Sequence, residues 1–250
     1  MNNQQNNKVE KKRLDVLIHE NRQDLSRSII QDWIKKGLVM VAGKIVTKPG
    51  QLVDSNATFT LQLEQPEFVS RSGAKLAQAL QQFSIDVQGV VALDVGLSTG
   101  GFTDCLLQNG AAKVFGVAVG TGQVHPKIVA DDRVVVMEQT DIRNCLGKIE
   151  PVDFICVDVS FISVTKIIDV IIALLKQSGI MIILLKPQFE TNSKLISRGG
   201  IVKHVALRKQ IVQEVLSKLE HAGLIIKGCV ESLTHGSDGN IEYLVYGMKK

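Results

Sequence analysis

The chain has 250 residues, 45% apolar but only 4% aromatic, so it is long enough for one large domain plus a small one, with a core resting on Val, Ile and Leu. Such a core favours buried parallel strands flanked by helices. The net charge of +4 permits a polyanionic partner without requiring one. Apolar runs such as Ile180–Leu185 are strand-sized, which argues against a membrane-spanning helix.

Residues 1–50 carry ten Lys and Arg against five Asp and Glu, while the remainder is close to neutral. A basic beginning on a neutral body points to the first part as the one that meets a polyanion. The four cysteines, Cys105, Cys145, Cys156 and Cys229, lie far apart, with no CxxC and no His/Cys metal spacing. Reduced thiols in a cytoplasmic protein, and no metal site, are the expectation. Residues 1–10 are polar and lack the apolar stretch of a signal peptide; they read as a disordered tail.

Residues 11–63 read as one small α+β unit. Leu14, Leu17 and Ile18 sit at helical spacing, and a second helix is predicted from Ser26 to Lys36, with Ser26 as N-cap and Gly37 as the stop. Ile29, Ile30, Trp33 and Ile34 on that helix are expected in the core. Leu38–Val41, Lys44–Val46 and Thr58–Leu63 read as short strands around turns. A linker is expected at 64–69.

From residue 70 onward strands and helices alternate. Strands are predicted at Val90–Val95, Lys113–Ala118, Val134–Glu138, Val152–Val157 and Ile180–Lys186. Helices are predicted at Lys75–Gln82, Thr103–Asn109, Ile142–Leu146, Val164–Lys176 and Ala206–Ala222. Two strand-like runs, Leu224–Glu231 and Ile241–Tyr246, close the chain around the loop Thr234–Asn240. This pattern implies an α/β fold with a doubly wound, mostly parallel sheet and an antiparallel pair at one edge.

The run from Val91 to Thr103 is a strand, a small-residue loop and a helix start, suited to close backbone approach by a ligand. Ser98 holds the middle glycine position of a GxGxxG pattern, and no GK[ST] follows. Asp94 ends the first strand, Asp141 follows the third, Asp158 the fourth and Lys186 the fifth. Ligands bind at that edge of such sheets, and solvated loop charges explain the set poorly.

Four runs then stand out: Ser70-Arg71-Ser72-Gly73-Ala74-Lys75, Asp158-Val-Ser-Phe-Ile-Ser163, Lys186-Pro-Gln-Phe-Glu190 and Gly239-Asn240-Ile241-Glu242-Tyr243. Together they resemble the TlyA (haemolysin A) family of FtsJ-like ribosomal RNA 2′-O-methyltransferases, over nearly the whole chain. The resemblance implies the class I methyltransferase version of the fold and a catalytic tetrad at Lys75, Asp158, Lys186 and Glu242. It implies S-adenosylmethionine as cofactor, with Asp94, Gly96, Ser98, Gly100 and Gly101 around its methionine and ribose parts and Asp141 near the adenine. The chemistry agrees. A ribose hydroxyl must lose its proton as the methyl group arrives, and an amine takes that proton only when a neighbouring cation or loss of water favours its neutral form. Lys186 is assigned as base, Lys75 as the neighbouring cation that also orients substrate, and Asp158 and Glu242 as the groups that hold the two lysines.

Residues 13–63 resemble the αL-type RNA-binding domain of a ribosomal small-subunit protein and of pseudouridine synthases, through Arg13-Leu-Asp15, Ser26-Arg27, Gly37-Leu-Val39 and Gly43-Lys44. The resemblance makes ribosomal RNA or ribosomal subunits the partner, with Arg13, Arg27, Lys35, Lys36, Lys44 and Lys48 gripping phosphates.

The sequence departs from the family's pattern mostly on the cofactor side. Ala118 stands where an acidic residue after the second strand could hold the cofactor's ribose. Thr121 and Pro126 replace aromatics, Leu97 and Ser72 replace small residues or glycine, and Ala42 replaces asparagine. A lost charge-assisted hydrogen bond of about 1.5–3 kcal/mol would weaken cofactor binding roughly ten- to a hundredfold. Three other readings follow: a non-catalytic ribosome-assembly factor on a worn fold, favoured by the altered segment; a membrane-active haemolysin, opposed by the lack of a spanning run; and a nicotinamide-dependent oxidoreductase, opposed by the broken glycine pattern.

Overall fold

The computed structural model describes residues 10–23, 25–61, 67–191, 196, 200–236 and 238–250. Residues 1–9 of the expected tail and 64–66 of the expected linker lie outside them. The chain divides into two compact units, Met1–Gln65 and Pro66–Lys250.

The first unit contains β1 (Lys11–Arg13), α1 (Leu14–Asn21), α2 (Arg27–Lys35), β2 (Val39–Val41), β3 (Lys44–Ile45), β4 (Leu52–Asp54) and β5 (Phe59–Leu61). β1 pairs with β4, and β3, β2 and β5 form a separate antiparallel sheet. Ser26 caps α2 as expected, its hydroxyl accepting the Ile29 amide. Leu14, Ile18, Ile30 and Ile34 are fully buried, with Trp33 packed against them. Ile29 is not a core residue; it is 43% exposed. Ile30 and Ile34, four apart, set the buried stripe, and the residue one before it turns about 100° away. The strands at Lys11–Arg13 and Leu52–Asp54 carry no predicted pattern and form by pairing with one another.

The second unit opens with α3 (Ser72–Gln82), then β6 (Val91–Val95), α4 (Gly101–Gln108), β7 (Lys113–Val117), α5 (Pro126–Val129), β8 (Val134–Met137), β9 (Val152–Val157), α6 (Ile168–Ala173), β10 (Leu175–Leu185), α7 (Pro187–Glu190), α8 (Val205–His221), β11 (Leu224–Glu231) and β12 (Tyr243–Lys249). The sheet order is β11-β12-β10-β9-β6-β7-β8, with β12 antiparallel to both neighbours. Successive residues of the central strands face opposite sides. Leu93, Ile155, Val157 and Ile183 meet α6 and α8 on one face. Ala92, Phe154, Cys156 and Ile182 meet α3 and α4 on the other. The expected doubly wound architecture is what this alternation builds.

Three expectations change. The helix predicted over Val164–Lys176 is a 3-10 turn at Val164–Lys166 followed by the six-residue α6, because Leu175 already pairs with Val152 in the sheet. Ile142–Asn144 is also only a 3-10 turn. Phe68 and Val69, expected in the linker, pack into the second unit: Phe68 is buried, and the Val69 amide donates to the Asp104 carboxylate at 2.8 Å.

Candidate active site

Four strand ends place the site. β6, β9 and β10 run the same way and end at Asp94–Val95, Val157 and Leu185, so Asp94, Asp158 and Lys186 reach one edge of the sheet. β12 runs the opposite way, and its first residue, Tyr243, pairs with Leu185. Glu242 therefore arrives at the same edge from the other chain direction. α3 brings Lys75 in its first turn. Gly96 makes the arrangement possible: a Cβ there would stand 2.2 Å from the Asp158 carbonyl oxygen, and its φ of +98° lies where only glycine is unstrained.

Lys75, Asp94, Asp158, Lys186 and Glu242 line one cavity of about 310 Å³, together with Arg71, Ser98 and His235. The tetrad forms two ion pairs. Lys75 Nζ donates to Glu242 Oε2 at 2.5 Å, and Lys186 Nζ lies 2.6 Å from Asp158 Oδ1 while donating to Ser160 Oγ at 3.0 Å. The Lys186–Asp158 contact is a charge pairing whose angles do not make a hydrogen bond. Each lysine thus faces one carboxylate. Ser160 was not among the predicted residues, although it stands in the Asp158–Ser163 run.

The loops that carry these pairs are cross-braced. Glu190 accepts the Val164 amide at 2.9 Å and the Ser163 hydroxyl at 2.5 Å, tying the Lys186 run to the Asp158 run. Burial pushes the Glu190 carboxyl upward. Asn240, 2% exposed, accepts the Val202 amide at 3.1 Å and donates to the Gly200 carbonyl at 2.9 Å. Its own carbonyl accepts the Gly236 amide at 2.9 Å, beside Glu242. Asn240 sits in the quoted run before Glu242, where its bracing role had no local signature.

Asp94 is the unusual group. It is 1% exposed; its Oδ2 accepts the Thr103 amide at 3.1 Å and hydroxyl at 2.7 Å, while its buried Oδ1 has no partner. Burial pushes this carboxyl up to about 7, and the Asp158 charge adds to the rise. An unpaired buried oxygen in a cavity wall fits a ligand that brings a donor or a positive charge.

A second cavity, of about 400 Å³, shares Gly96, Ser98 and Asp158 with the first. Val119, Asp141, Ile142 and Phe161 line it; Phe161 is 92% exposed and packs against Phe189 with ring centres 5.1 Å apart and planes tilted by 51°. Asp141 lines this cavity, and Arg143 occupies both its oxygens at 2.9 and 2.6 Å, which brings its carboxyl down to about 2. Gly100 and Gly101, expected around the cofactor, line neither cavity. Gly100 packs under Ile128, and Gly101 faces the Ser70 and Ser72 hydroxyls, so both shape the loop from behind. The departure at Leu97 has a structural partner: its side chain covers the bare backbone of Gly116.

Residues 68–249 match the FtsJ-like methyltransferase family, and residues 12–59 match the S4 domain. The chain belongs to the FtsJ-like methyltransferase family. It is 39% identical to Hemolysin A of Brachyspira hyodysenteriae, over 94% of this chain and 98% of that one. It is 34% identical to the 16S/23S rRNA (cytidine-2′-O)-methyltransferase TlyA of Mycobacterium tuberculosis, over 90% of this chain and 86% of that one. A solved structure of a hemolysin candidate from Streptococcus thermophilus matches with a TM-score of 0.74 at 35% identity, over 97% of this chain and 90% of that one. In this methyltransferase no helix among the described residues is long and apolar enough to cross a membrane.

The S4 domain's predicted RNA contacts are of two kinds. Arg13 and Arg27 are both tied to the fully buried Asp15, Arg13 through two bonds at 2.9 and 3.0 Å and Arg27 at 3.1 Å, with Gln31 adding a third partner at 2.7 Å. Arg13's bonds above all hold the Asp15 carboxyl well below the usual range. Lys36 pairs with Asp32 at 2.6 Å on the same helix. Lys35, Lys44 and Lys48 are exposed and have no ion pair among the described residues.

Proposed function

We propose that the protein transfers the methyl group of S-adenosylmethionine to a ribose 2′-hydroxyl of ribosomal RNA, with cytidine as the target nucleoside. The observation that carries this reading is the single cavity that gathers two lysine–carboxylate pairs around an unpaired, buried Asp94 oxygen. The cofactor supplies an electrophilic methyl group. Asp94 Oδ1 offers its free lone pairs to the ammonium of the methionine part, and the Gly96–Ser98 backbone leaves room for close approach. The exposed faces of Val119 and Phe161 offer apolar surface to the nucleoside part. Lys186 Nζ, steered by Asp158 and Ser160, takes the proton from the attacking hydroxyl oxygen. Lys75, fixed by Glu242, adds a second positive charge in the same cavity. General-base help of this kind is worth about 10²–10⁴ in rate, and alignment of hydroxyl and methyl group supplies more. The M. tuberculosis relative's name supports ribosomal RNA and cytidine, and the exposed lysines of the S4 domain suit a phosphate backbone. A role on ribosomes supports a cytoplasmic location.

The test uses isolated ribosomal subunits and naked ribosomal RNA with methyl-labelled S-adenosylmethionine, followed by alkaline hydrolysis. Label in alkali-resistant dinucleotides that begin with cytidine is the expected result. Label on a base, or none while the protein still binds RNA, contradicts it; the second outcome favours a non-catalytic assembly factor.

A further inference from the structure

A nucleoside in the second cavity must have its ribose hydroxyls met, because a buried hydroxyl left without a partner costs binding. The cavity's polar side chains are mostly committed. Asp141 is held by Arg143, Asp158 and Ser160 by Lys186, and the Thr140 hydroxyl donates to the Glu138 carbonyl at 2.9 Å. Ser98 and Gln123 are the two whose side chains have no partner among the described residues. Ser98 belongs to the glycine loop and also lines the tetrad cavity. Gln123 stands on the altered segment beside Ala118.

That segment is held firmly. The carboxylate of Glu138, just beyond the end of β8, accepts the Gln123 amide and the Thr121 hydroxyl, each at 3.3 Å, and is stabilised as an anion first by the Gly122 amide. The Gly120 carbonyl accepts from Gln139 at 3.0 Å, and the His125 amide donates to the Thr99 carbonyl at 3.1 Å. The Gln123 side-chain amide lies over Gly120, its atoms 3.2 Å from where a Cβ would stand, so a side chain at 120 would displace it by a few tenths of an ångström.

We propose that Gln123 binds the ribose diol of the cofactor, its carbonyl accepting from one hydroxyl and its amino group donating to the other, in place of the carboxylate that Ala118 cannot provide. Glu138 serves as the anchor that orders the Gln123 loop before ligand arrives. The proposal rests on the cofactor reading given above and deepens it.

The experiment is calorimetric titration of the full chain with S-adenosylhomocysteine and with its 2′,3′-dideoxy analogue, for wild type and Gln123→Ala. Gln123→Ala weakens binding of S-adenosylhomocysteine about tenfold, the loss of one or two neutral hydrogen bonds. The dideoxy analogue binds both proteins within about twofold of each other, because the partners of Gln123 are already gone. Thermal unfolding of the variant matches wild type, since the side chain is exposed. Equal affinity of wild type and Gln123→Ala for S-adenosylhomocysteine overturns the proposal, as does an equal loss with the dideoxy analogue. Failure of wild type to bind S-adenosylhomocysteine at millimolar concentration overturns the cofactor reading and this proposal together, whereas the other two outcomes leave the cofactor reading standing.

Discussion

Lys75 and Glu242 meet with 10% and 4% of their side chains exposed, whereas Arg13 and Arg27 keep about half of theirs in solvent while gripping a buried Asp15. Both regions are clusters of charge, yet different forces govern them. In the Lys75–Glu242 pair each partner has given up water, so each charge depends on the other, and removing one leaves an uncompensated ion. In the S4 domain Arg13 and Arg27 keep their heads partly hydrated while stabilising the buried Asp15 carboxylate, and the exposed Lys35, Lys44 and Lys48 have no ion pair among the described residues. A residue's importance to the fold and its importance to the partner therefore separate: the first unit can lose an exposed lysine without structural cost, and the second cannot lose one member of its Lys75–Glu242 pair.

That contrast can be broken at several points. The largest effect is expected at the buried pair. Lys75→Met or Glu242→Leu alone lowers unfolding free energy by about 3–5 kcal/mol, and the double replacement costs less than the sum of the two. Urea unfolding of the three variants checks this; additive losses would show that the pair acts as two independent charges.

Asp94 is next. Its carboxyl is raised from an ordinary 3.8 to about 7 by burial, so the unfolded chain gives up this proton first. The corresponding stability is present below about pH 4 and is lost as pH rises to about 7, a change of roughly 4 kcal/mol. The difference in unfolding free energy between wild type and Asp94→Asn, measured without ligand across that window, should follow this curve. A flat difference would mean that Asp94 is ionised throughout.

In the S4 domain, Lys44→Ala and Lys48→Ala should each reduce the salt dependence of RNA binding by about 0.7–0.9 in log–log slope, the value of one phosphate contact. Thermal stability and S-adenosylhomocysteine affinity stay unchanged. A variant that unfolds, or that keeps the wild-type slope, would blur the distinction between the two regions.

The smallest effect lies at Ala42. With Gly43 it forms the two-residue turn between β2 and β3, and its φ of +49° is left-handed. Asparagine tolerates that conformation better, so Ala42→Asn should raise stability of the first unit by about 1 kcal/mol, read by thermal unfolding.

The strands of the second unit, and the places of Asp158, Lys186 and Glu242, were legible because each of these residues adjoins a short apolar run whose end marks a strand end, whereas Lys75 stands on α3. Asp158 follows Val152–Val157 and Lys186 follows Ile180–Leu185, so the position in sequence already gives the position at the sheet edge. Pairings across long sequence separations were not legible. Nothing local distinguishes Leu175 as the start of a strand; its pairing with Val152 overrides a run that is equally apolar as a helix. Arg27 read as a free cation because its hold on Asp15 depends on how two helices meet. Ile29 was misplaced by one residue of helical phase. Gln123 and Glu138 carry no motif at all, and their relation emerges only once the loop is folded against the end of β8.

Lys186, held by Asp158 and Ser160, is the proposed base of methyl transfer. The most direct test is the single-turnover rate of methyl transfer to a ribosomal subunit by Lys186→Ala beside wild type, with S-adenosylhomocysteine affinity measured on both. The expected result is a rate lower by about 10²–10⁴ with affinity unchanged. A rate within a few-fold of wild type would contradict it and move the proton to another acceptor.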